Sequence, residues 1–333
     1  MSREVLYSPE LKNSLEIVAL RNSRNTVLEI LNFGAAIFSL NFSNSINVII
    51  APKNPEDFLL PEYKQHNKCF GASIGRYAGR ISNGEISIDG KEHQLFTRDG
   101  VHLHGGNFGF AYKLWKIKEV KKGENPSVLL TYFSEDGEEG YPGNLSVSVR
   151  YTLTEEDEVL IEYEAITDKE TVVNLTNHAY FNLNGAGNIK DHFLRLNSEK
   201  VLEVDQKLFP TGTFLDTKGT KMDFSEGKKL GEITLDDVFP LKKDREGEII
   251  LKGNHSGISL SIKSNQPAVV VYVPEKLPID WDYQTEISEE KPSICLETQN
   301  FPDAPHHENF PSARLGAGEK YYSFSSWKFE FEK

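Results

Sequence analysis

The feature that most limits how this chain can fold is a repeated alternation of apolar and polar residues with a period of two. From Leu145 to Leu153 the odd positions are apolar or aromatic, and the even positions are Ser, Arg or Thr. The pattern resumes from Val159 to Ala165 after a short, charged turn. Successive side chains of a strand point to opposite faces, so the pattern predicts an antiparallel hairpin with one buried face.

Further strands are predicted on both sides of this hairpin. Ile86 and Ile88 precede Asp89-Gly90, a pair that tolerates the positive φ of a hairpin turn, and the chain resumes to Leu95. Tyr321–Phe331 alternates aromatic with polar residues and predicts a final strand. Helical periodicity is sparse, and neither an internal repeat nor a linker is visible. The sequence therefore predicts an all-β protein, a single domain over residues 1–333 built as a large antiparallel β-sandwich or barrel.

Composition excludes several functional classes. The net charge is −13, which disfavours nucleic acid and, more weakly, an anionic membrane surface as partners. No apolar run is long enough to span a bilayer, and Met1–Leu11 lacks the apolar core of a signal peptide. Cys69 and Cys295 are the only cysteines, so no disulfide framework is expected. We expect a cytoplasmic protein.

Two polar-rich segments interrupt the strand pattern in the first third of the chain. Gly71–Ile81 contains Arg76 and Arg80 among small residues, which fits either a ligand-binding segment or a close strand crossing with one structural arginine. His102 and His104 lie two residues apart before Gly105-Gly106. On one strand they would share a face, so a metal pair has to be considered. The alternative places His104 on a pocket wall beside open backbone, with His102 as an exposed neighbour.

Two further segments lie in the second half. His178 follows a predicted strand over Thr171–Thr176 and is flanked by amides and aromatic rings, as in sugar-binding sites, although a structural histidine is the ordinary interpretation. Glu297 lies in an apolar run, where desolvation would raise its pKa toward that of a general base. The alternative is a solvent-facing strand glutamate. Asp303 begins a second cluster of metal-capable residues, which includes His306 and His307.

Together these segments resemble the aldose 1-epimerase (galactose mutarotase) family. The resemblance extends over most of the chain and rests on four motifs in the same order, Gly71–Ile81, Leu103–Gly106, Asn174–Leu183 and Cys295–Ala304. It implies a galactose mutarotase-like supersandwich and an isomerase that interconverts the α and β anomers of free aldoses such as glucose and galactose. It implies no metal and no organic cofactor.

The resemblance also implies roles for five residues. Glu297 would be the general base at the anomeric hydroxyl, and His178 the general acid at the ring oxygen. His104 would donate toward the same oxygen or a neighbouring hydroxyl. Arg80 and Asp236 would hold sugar hydroxyls. An ordinary histidine has a pKa near 6.5, so His178 is expected to need a nearby carboxylate to stay protonated at neutral pH.

This chain departs from the family pattern around the sugar rather than at the proton-transfer groups. Gly79 replaces a usual Asn, Val270 a frequent Gln, and Asp237 the His that often follows the sugar-binding Asp. Substrate preference is therefore less constrained than chemistry. An epimerase for maltose or a sugar phosphate, and a non-catalytic sugar-binding module, remain alternatives. The partner is expected to be a small-molecule sugar, with neither nucleic acid nor membrane, and the chain a monomer or a homodimer.

Overall fold

Strands dominate the computed structural model, which describes residues 14–242, 249–278 and 281–332. The predicted absence of a signal peptide at Met1–Leu11 lies outside the described residues. The strands follow in chain order as β1 (Ile17–Arg21), β2 (Val27–Leu31), β3 (Ala36–Asn41), β4 (Ser73–Ile74), β5 (Arg80–Ser82), β6 (Glu85–Ile88), β7 (Lys91–Gln94), β8 (Val101–Leu103), β9 (Lys116–Lys121), β10 (Ser127–Ser134), β11 (Leu145–Leu153), β12 (Glu158–Thr167), β13 (Thr171–Val172), β14 (Thr176–Asn177), β15 (Tyr180–Phe181), β16 (Phe193–Leu196), β17 (Lys200–Val204), β18 (Pro210–Asp216), β19 (Lys228–Lys229), β20 (Leu235–Pro240), β21 (Ile249–Lys252), β22 (Ile258–Ser264), β23 (Ala268–Val273), β24 (Ile294–Gln299), β25 (Arg314–Leu315) and β26 (Lys320–Phe331).

Helical structure in the described residues is short. The helix α1 spans Pro61–His66, and there are four 3-10 turns, at Pro55–Leu59, Phe110–Tyr112, Glu138–Gly140 and Ala304–His306. A bilayer-spanning helix needs about 20 residues. Within the described ranges, no helix has the length and apolar character to cross a membrane.

The largest sheet has nine antiparallel strands in the order β19-β16-β21-β22-β26-β12-β11-β10-β9. The predicted hairpin forms its centre, since β11 pairs with β12 and Leu153 lies opposite Val159. The apolar residues of β11 are all buried, which confirms the predicted face. The final strand, β26, lies between β22 and β12 in the middle of this sheet.

The hairpin predicted at Asp89-Gly90 is also present. β6 pairs with β7, and the two turn residues have positive φ values of 49° and 72°, as such a turn requires. The strand predicted over Thr171–Thr176 is wrong in detail, because the structure has two short strands, β13 and β14, with a break between them. At the break, the side-chain amide of Asn174 donates to the carbonyls of Ala78 and Asn300, so the chain there is held by side-chain hydrogen bonds rather than by a continuous strand ladder.

A second antiparallel sheet, in the order β15-β24-β23-β20, positions the functional residues. One of its faces joins the core of the nine-stranded sheet: Leu296 and Val271 belong to the same buried cluster as Trp327 of β26. The other face of β24 presents Cys295, Glu297 and Gln299, because alternate residues of a strand share a face. The architecture is an all-β antiparallel sandwich, as predicted, with a polar strip on the face turned away from the main core.

Candidate active site

One cavity above this outer face is lined by all five residues to which the family resemblance assigns roles, His104, His178, Glu297, Arg80 and Asp236. They come from four distant parts of the chain. β24 supplies Glu297, and β20 supplies Asp236. Arg80 begins β5, His104 directly follows β8, and His178 lies between β14 and β15.

Glu297 and His178 form a buried pair at the floor of the cavity. The Nε2 atom of His178 lies 3.5 Å from Oε1 of Glu297, and the two residues are only 5% and 2% exposed. The pairing of Tyr180 with Cys295 sets this distance, because His178 precedes one partner by two residues and Glu297 follows the other by two. The ring of Tyr180 stacks on that of His178 with centroids 5.1 Å apart and fixes its plane.

Burial shifts the pKa values of this pair in opposite directions. Desolvation raises the pKa of Glu297 well above its ordinary value, and the Asp236 carboxylate raises it further, against the opposing effect of Arg80. Desolvation lowers the pKa of His178 to about 4, and the Lys68 ammonium adds to the effect. Both shifts favour a protonated Glu297 beside a neutral His178. The pair therefore holds one proton over a wide pH range.

His104 completes the histidine pair, with its ring centroid 5.4 Å from that of His178. Its Nδ1 accepts a hydrogen bond from the backbone N–H of Gly79 at 3.3 Å. Desolvation lowers the pKa of His104 well below its usual value, with His178 and Arg80 as further causes. A neutral ring that accepts at Nδ1 carries its proton on Nε2. His104 is thus fixed as a hydrogen-bond donor.

The glycines after His104 have a different role from the one predicted. They do not leave open backbone, because a side chain at Gly105 would overlap the carbonyl oxygen of Gly75, and one at Gly106 would overlap Glu139. Both glycines also have positive φ. They let the turn pack tightly against Gly75, and this packing holds His104 in place.

Arg80 and Asp236 lie at one side of the cavity. A guanidinium nitrogen of Arg80 is 3.3 Å from Oδ2 of Asp236, and both side chains keep partial exposure. Asp236 lines the cavity, whereas Asp237 accepts a hydrogen bond from the backbone N–H of Asp236 and is not part of the lining. An ion pair with free donor and acceptor capacity suits the recognition of hydroxyl groups.

The remaining candidates have structural roles. Arg76 is buried, and its guanidinium donates to Ser134, Pro142 and Glu135, as in the alternative of a structural arginine. The expectation that His102 is an exposed neighbour is wrong. Its side chain is fully buried and bonds the carbonyl of Phe96 and the hydroxyl of Tyr141.

The metal pair considered for His102 and His104 is not formed, because the chain turns at His104. His104 has a φ of 51°, and its ring faces that of His178, whereas the ring of His102 faces that of Tyr141. In the second cluster, Asp303 accepts from His306 at 2.6 Å and lies 3.7 Å from His307. Over the described ranges, His, Cys, Asp and Glu side chains form no group of three or more placed to hold a metal ion.

Several lining residues were not singled out from the sequence, among them Lys68, Tyr272 and Gln299. Lys68 donates to the hydroxyl of Tyr272 at 3.0 Å, and both line the cavity. Neither belongs to a pattern that indicates a site. Gln299 also lines the cavity. It follows Glu297 by two residues on a strand, so the period-two rule predicts that the two share a face.

Comparison with known proteins adds an independent observation to this geometry. The family model described as aldose 1-epimerase matches residues 16–327. The chain is 38% identical to galactose mutarotase of Sus scrofa over 281 residues, 80% of each chain. It is 32% identical to aldose 1-epimerase of Haemophilus influenzae over 335 residues, 95% of this chain and 96% of the other.

The chain belongs to the aldose 1-epimerase family. Members of this family are isomerases, and the resemblance seen in the four motifs is confirmed. Solved structures agree. Galactose 1-epimerase from Lactobacillus acidophilus matches with a TM-score of 0.83 and 28% identity, covering 96% of this chain and 95% of the other. An aldose epimerase homologue from C. elegans matches with a TM-score of 0.85 and 26% identity, covering 96% of this chain and all of the other.

Proposed function

We propose that this member of the aldose 1-epimerase family is a mutarotase, which interconverts the α and β anomers of free aldoses such as glucose and galactose. The observation that supports this most directly is the buried pair of Glu297 and His178, 3.5 Å apart at the floor of a cavity. A carboxylate with a raised pKa beside an imidazole with a lowered pKa places a base and an acid at one point, as the reaction requires.

Ring opening moves two protons. The Glu297 carboxylate removes the proton of the anomeric hydroxyl, the C1–O5 bond breaks, and His178 gives a proton to O5. The products are a neutral open-chain aldehyde, a protonated Glu297 and a neutral His178. The reactive form before this step has the single shared proton on His178 and an ionised Glu297. It arises when the proton moves from Glu297 to His178, which leaves the number of protons on the pair unchanged. Each well-placed proton transfer accelerates a reaction by about 10²–10⁴-fold.

Ring closure reverses these transfers on the other face of the aldehyde. Rotation about C1–C2 exposes that face, His178 takes the proton back from O5 as O5 attacks C1, and Glu297 returns its proton to O1. The enzyme ends in its starting protonation state. Nothing is oxidised or reduced, and no group is transferred to the protein, so the chemistry requires no organic cofactor.

The other three residues bind and orient the sugar in this proposal. His104 keeps its Nε2 proton and donates it to the ring oxygen or a neighbouring hydroxyl, because the Gly79 N–H occupies Nδ1. Arg80 and Asp236 bind hydroxyls at one side of the cavity. These roles divide acid and base chemistry from sugar recognition.

Polarimetry or proton NMR of freshly dissolved α-glucose, α-galactose and maltose tests the proposal. We expect the protein to accelerate approach to the anomeric equilibrium, most strongly for one of the two monosaccharides. A sugar that binds without any acceleration over buffer would instead support a sugar-binding module. A preference for maltose would move the proposal to disaccharides.

We also propose that the whole chain forms one domain that acts in the cytoplasm. The buried apolar cluster that includes both Leu20 and Phe329 is consistent with one domain, since residues near both ends of the described chain contribute to one core. Cysteine content supports the location, because both Cys69 and Cys295 are free and buried.

A further inference from the structure

Gln299 is the side chain of the cavity whose hydrogen bonding is least satisfied. It is fully buried, and neither its amide oxygen nor its amide nitrogen has a hydrogen-bond partner among the described residues. Buried amides are almost always bonded, so an exception needs an explanation. Gln299 lines the cavity, so a bound ligand could supply the missing hydrogen bonds.

The amide lies where the chain at Gly79 packs closely against it. A Cβ at Gly79 would come within 3.3 Å of the Gln299 nitrogen and 2.9 Å of Pro302, so only glycine fits here without displacing the amide. The amide thus keeps its place beside the cavity without a hydrogen bond to the described residues. An amide offers both donors and an acceptor, which matches the mixed character of a sugar hydroxyl.

The register of the sheet places Gln299 on the opposite side of Glu297 from Asp236. Asp236 lies in the row of Tyr272 and Cys295, two residues before Glu297 along β24. Gln299 lies in the row of Ala268, two residues after it. Two residues of a strand extend over roughly 7 Å. One sugar above Glu297 is thus flanked by polar groups on both sides.

We infer that Gln299 is a specificity-determining residue, which binds a hydroxyl other than the anomeric one, on the side of the ring remote from Asp236. The inference rests on the proposed function, because it takes Glu297 to mark the anomeric oxygen. It implies that the substrate is an aldose with hydroxyls on both flanks, recognised by two separate polar groups.

The test compares Gln299→Met with the wild type on glucose, galactose and their monodeoxy analogues. Methionine has nearly the same shape and no amide. We expect KM to rise about tenfold for a parent sugar, equivalent to about 1.4 kcal/mol, with a smaller change in kcat. For one deoxy analogue the wild type and the variant should have the same KM, since the hydroxyl that Gln299 binds is absent. Asp236→Asn should also raise KM for the parent sugar, and this increase should disappear with a different deoxy analogue.

Thermal unfolding separates this role from a structural one. An unpaired buried amide costs stability, so Gln299→Met should unfold at the same or a higher temperature while binding sugar more weakly. Gln266→Met is the matched control. Gln266 is also buried, but its amide donates to Asn265 outside the site, so this variant should lower the melting temperature and leave the relative KM values unchanged.

Sugar binding by calorimetry keeps the two proposals distinct. If the wild type binds aldoses but does not accelerate mutarotation, the proposed function fails, and the loss of affinity in Gln299→Met still decides the inference. An equal KM change for every analogue, or a lower melting temperature with unchanged affinity, would overturn the role of Gln299. Absence of sugar binding by the wild type would overturn both.

Discussion

At the scale of single residues, the proton shared by Glu297 and His178 determines the pH dependence. Below the pKa of His178, which is lowered to about 4, the pair carries two protons. Glu297 is then protonated together with His178 and cannot act as the base. Loss of the shared proton, governed by the raised pKa of Glu297, removes the acid. We expect kcat/KM to be bell-shaped, with its acid limb near pH 4 and its alkaline limb well above the ordinary pKa of a carboxyl group. Both limbs belong to the coupled pair.

Initial rates of mutarotation measured across the pH range check this profile, after subtraction of the buffer-catalysed rate. Burial also lowers the pKa of His102 to about 4, but His102 does not line the cavity. The acid limb should therefore be unchanged in a His102 variant and altered in a His178 variant. An acid limb that remains in His178→Asn would assign that limb to another group.

Glu297→Gln separates activity from stability at the same position. We expect kcat to fall by about 10²–10⁴-fold, because the base is lost. The raised folded-state pKa of Glu297 means that its contribution to stability is present below the unfolded pKa and is lost as pH rises through the folded pKa. Glutamine does not titrate, so the variant should gain stability relative to the wild type with increasing pH, by about 1.4 kcal/mol for each unit of raised pKa.

Urea unfolding of both proteins at acidic and alkaline pH measures this gain. A stability difference that is the same at both pH values would show that Glu297 has an ordinary pKa in the folded protein. Nearly normal turnover in Glu297→Gln would remove Glu297 from the role of base.

At the scale of elements, the turn after β8 fixes His104 through close packing. Gly105 and Gly100 both have positive φ, but a side chain at Gly105 would overlap the backbone of Gly75, whereas at Gly100 it would meet open space. Gly105→Ala should therefore destabilise the protein by about 1–3 kcal/mol and lower kcat by displacing His104. Gly100→Ala carries the same backbone strain without the overlap, and kcat should be unchanged. Chemical denaturation and mutarotation rates check both variants.

Equal losses in the two variants would show that positive φ alone accounts for the effect. The comparison is informative because both substitutions add the same methyl group within one short segment. It isolates the contact between the turn and Gly75 from the conformational preference of glycine.

The elements of this fold could be predicted where local patterning decides them. The hairpin β11–β12 and the burial of Glu297 follow from alternation and from an apolar run. The burial of His102 does not, because its partner Tyr141 is 39 residues away in sequence. Lys68 illustrates the same limit, since its partner in the site, Tyr272, lies 204 residues further along the chain. Contacts of this kind depend on sheet order, which a single sequence does not specify.

At the scale of the whole molecule, the residues of the site converge because two sheets pack against each other. The ring of Phe181 on β15 contacts that of Trp327 on β26, with centroids 4.9 Å apart, and this contact joins the small sheet to the large one. Motif order along the chain predicted which residues would meet. The relative positions of His178, Glu297 and Asp236 come from the register between β15, β24, β23 and β20, which no motif encodes.

The net charge of −13 gives a test of substrate class at this scale. Long-range fields act on charged ligands and leave neutral ones unaffected. When ionic strength rises from about 0.01 M to about 1 M, the Debye length falls from about 30 Å to about 3 Å, and we expect kcat/KM for glucose or galactose to change by less than about twofold. A hexose phosphate should instead show a clear salt dependence, because it feels both the acidic surface and the local cations Lys68 and Arg80. Mutarotation rates at several salt concentrations distinguish the two sugars. Faster turnover of the phosphate than of glucose at every concentration would replace free aldoses by sugar phosphates as the substrate class.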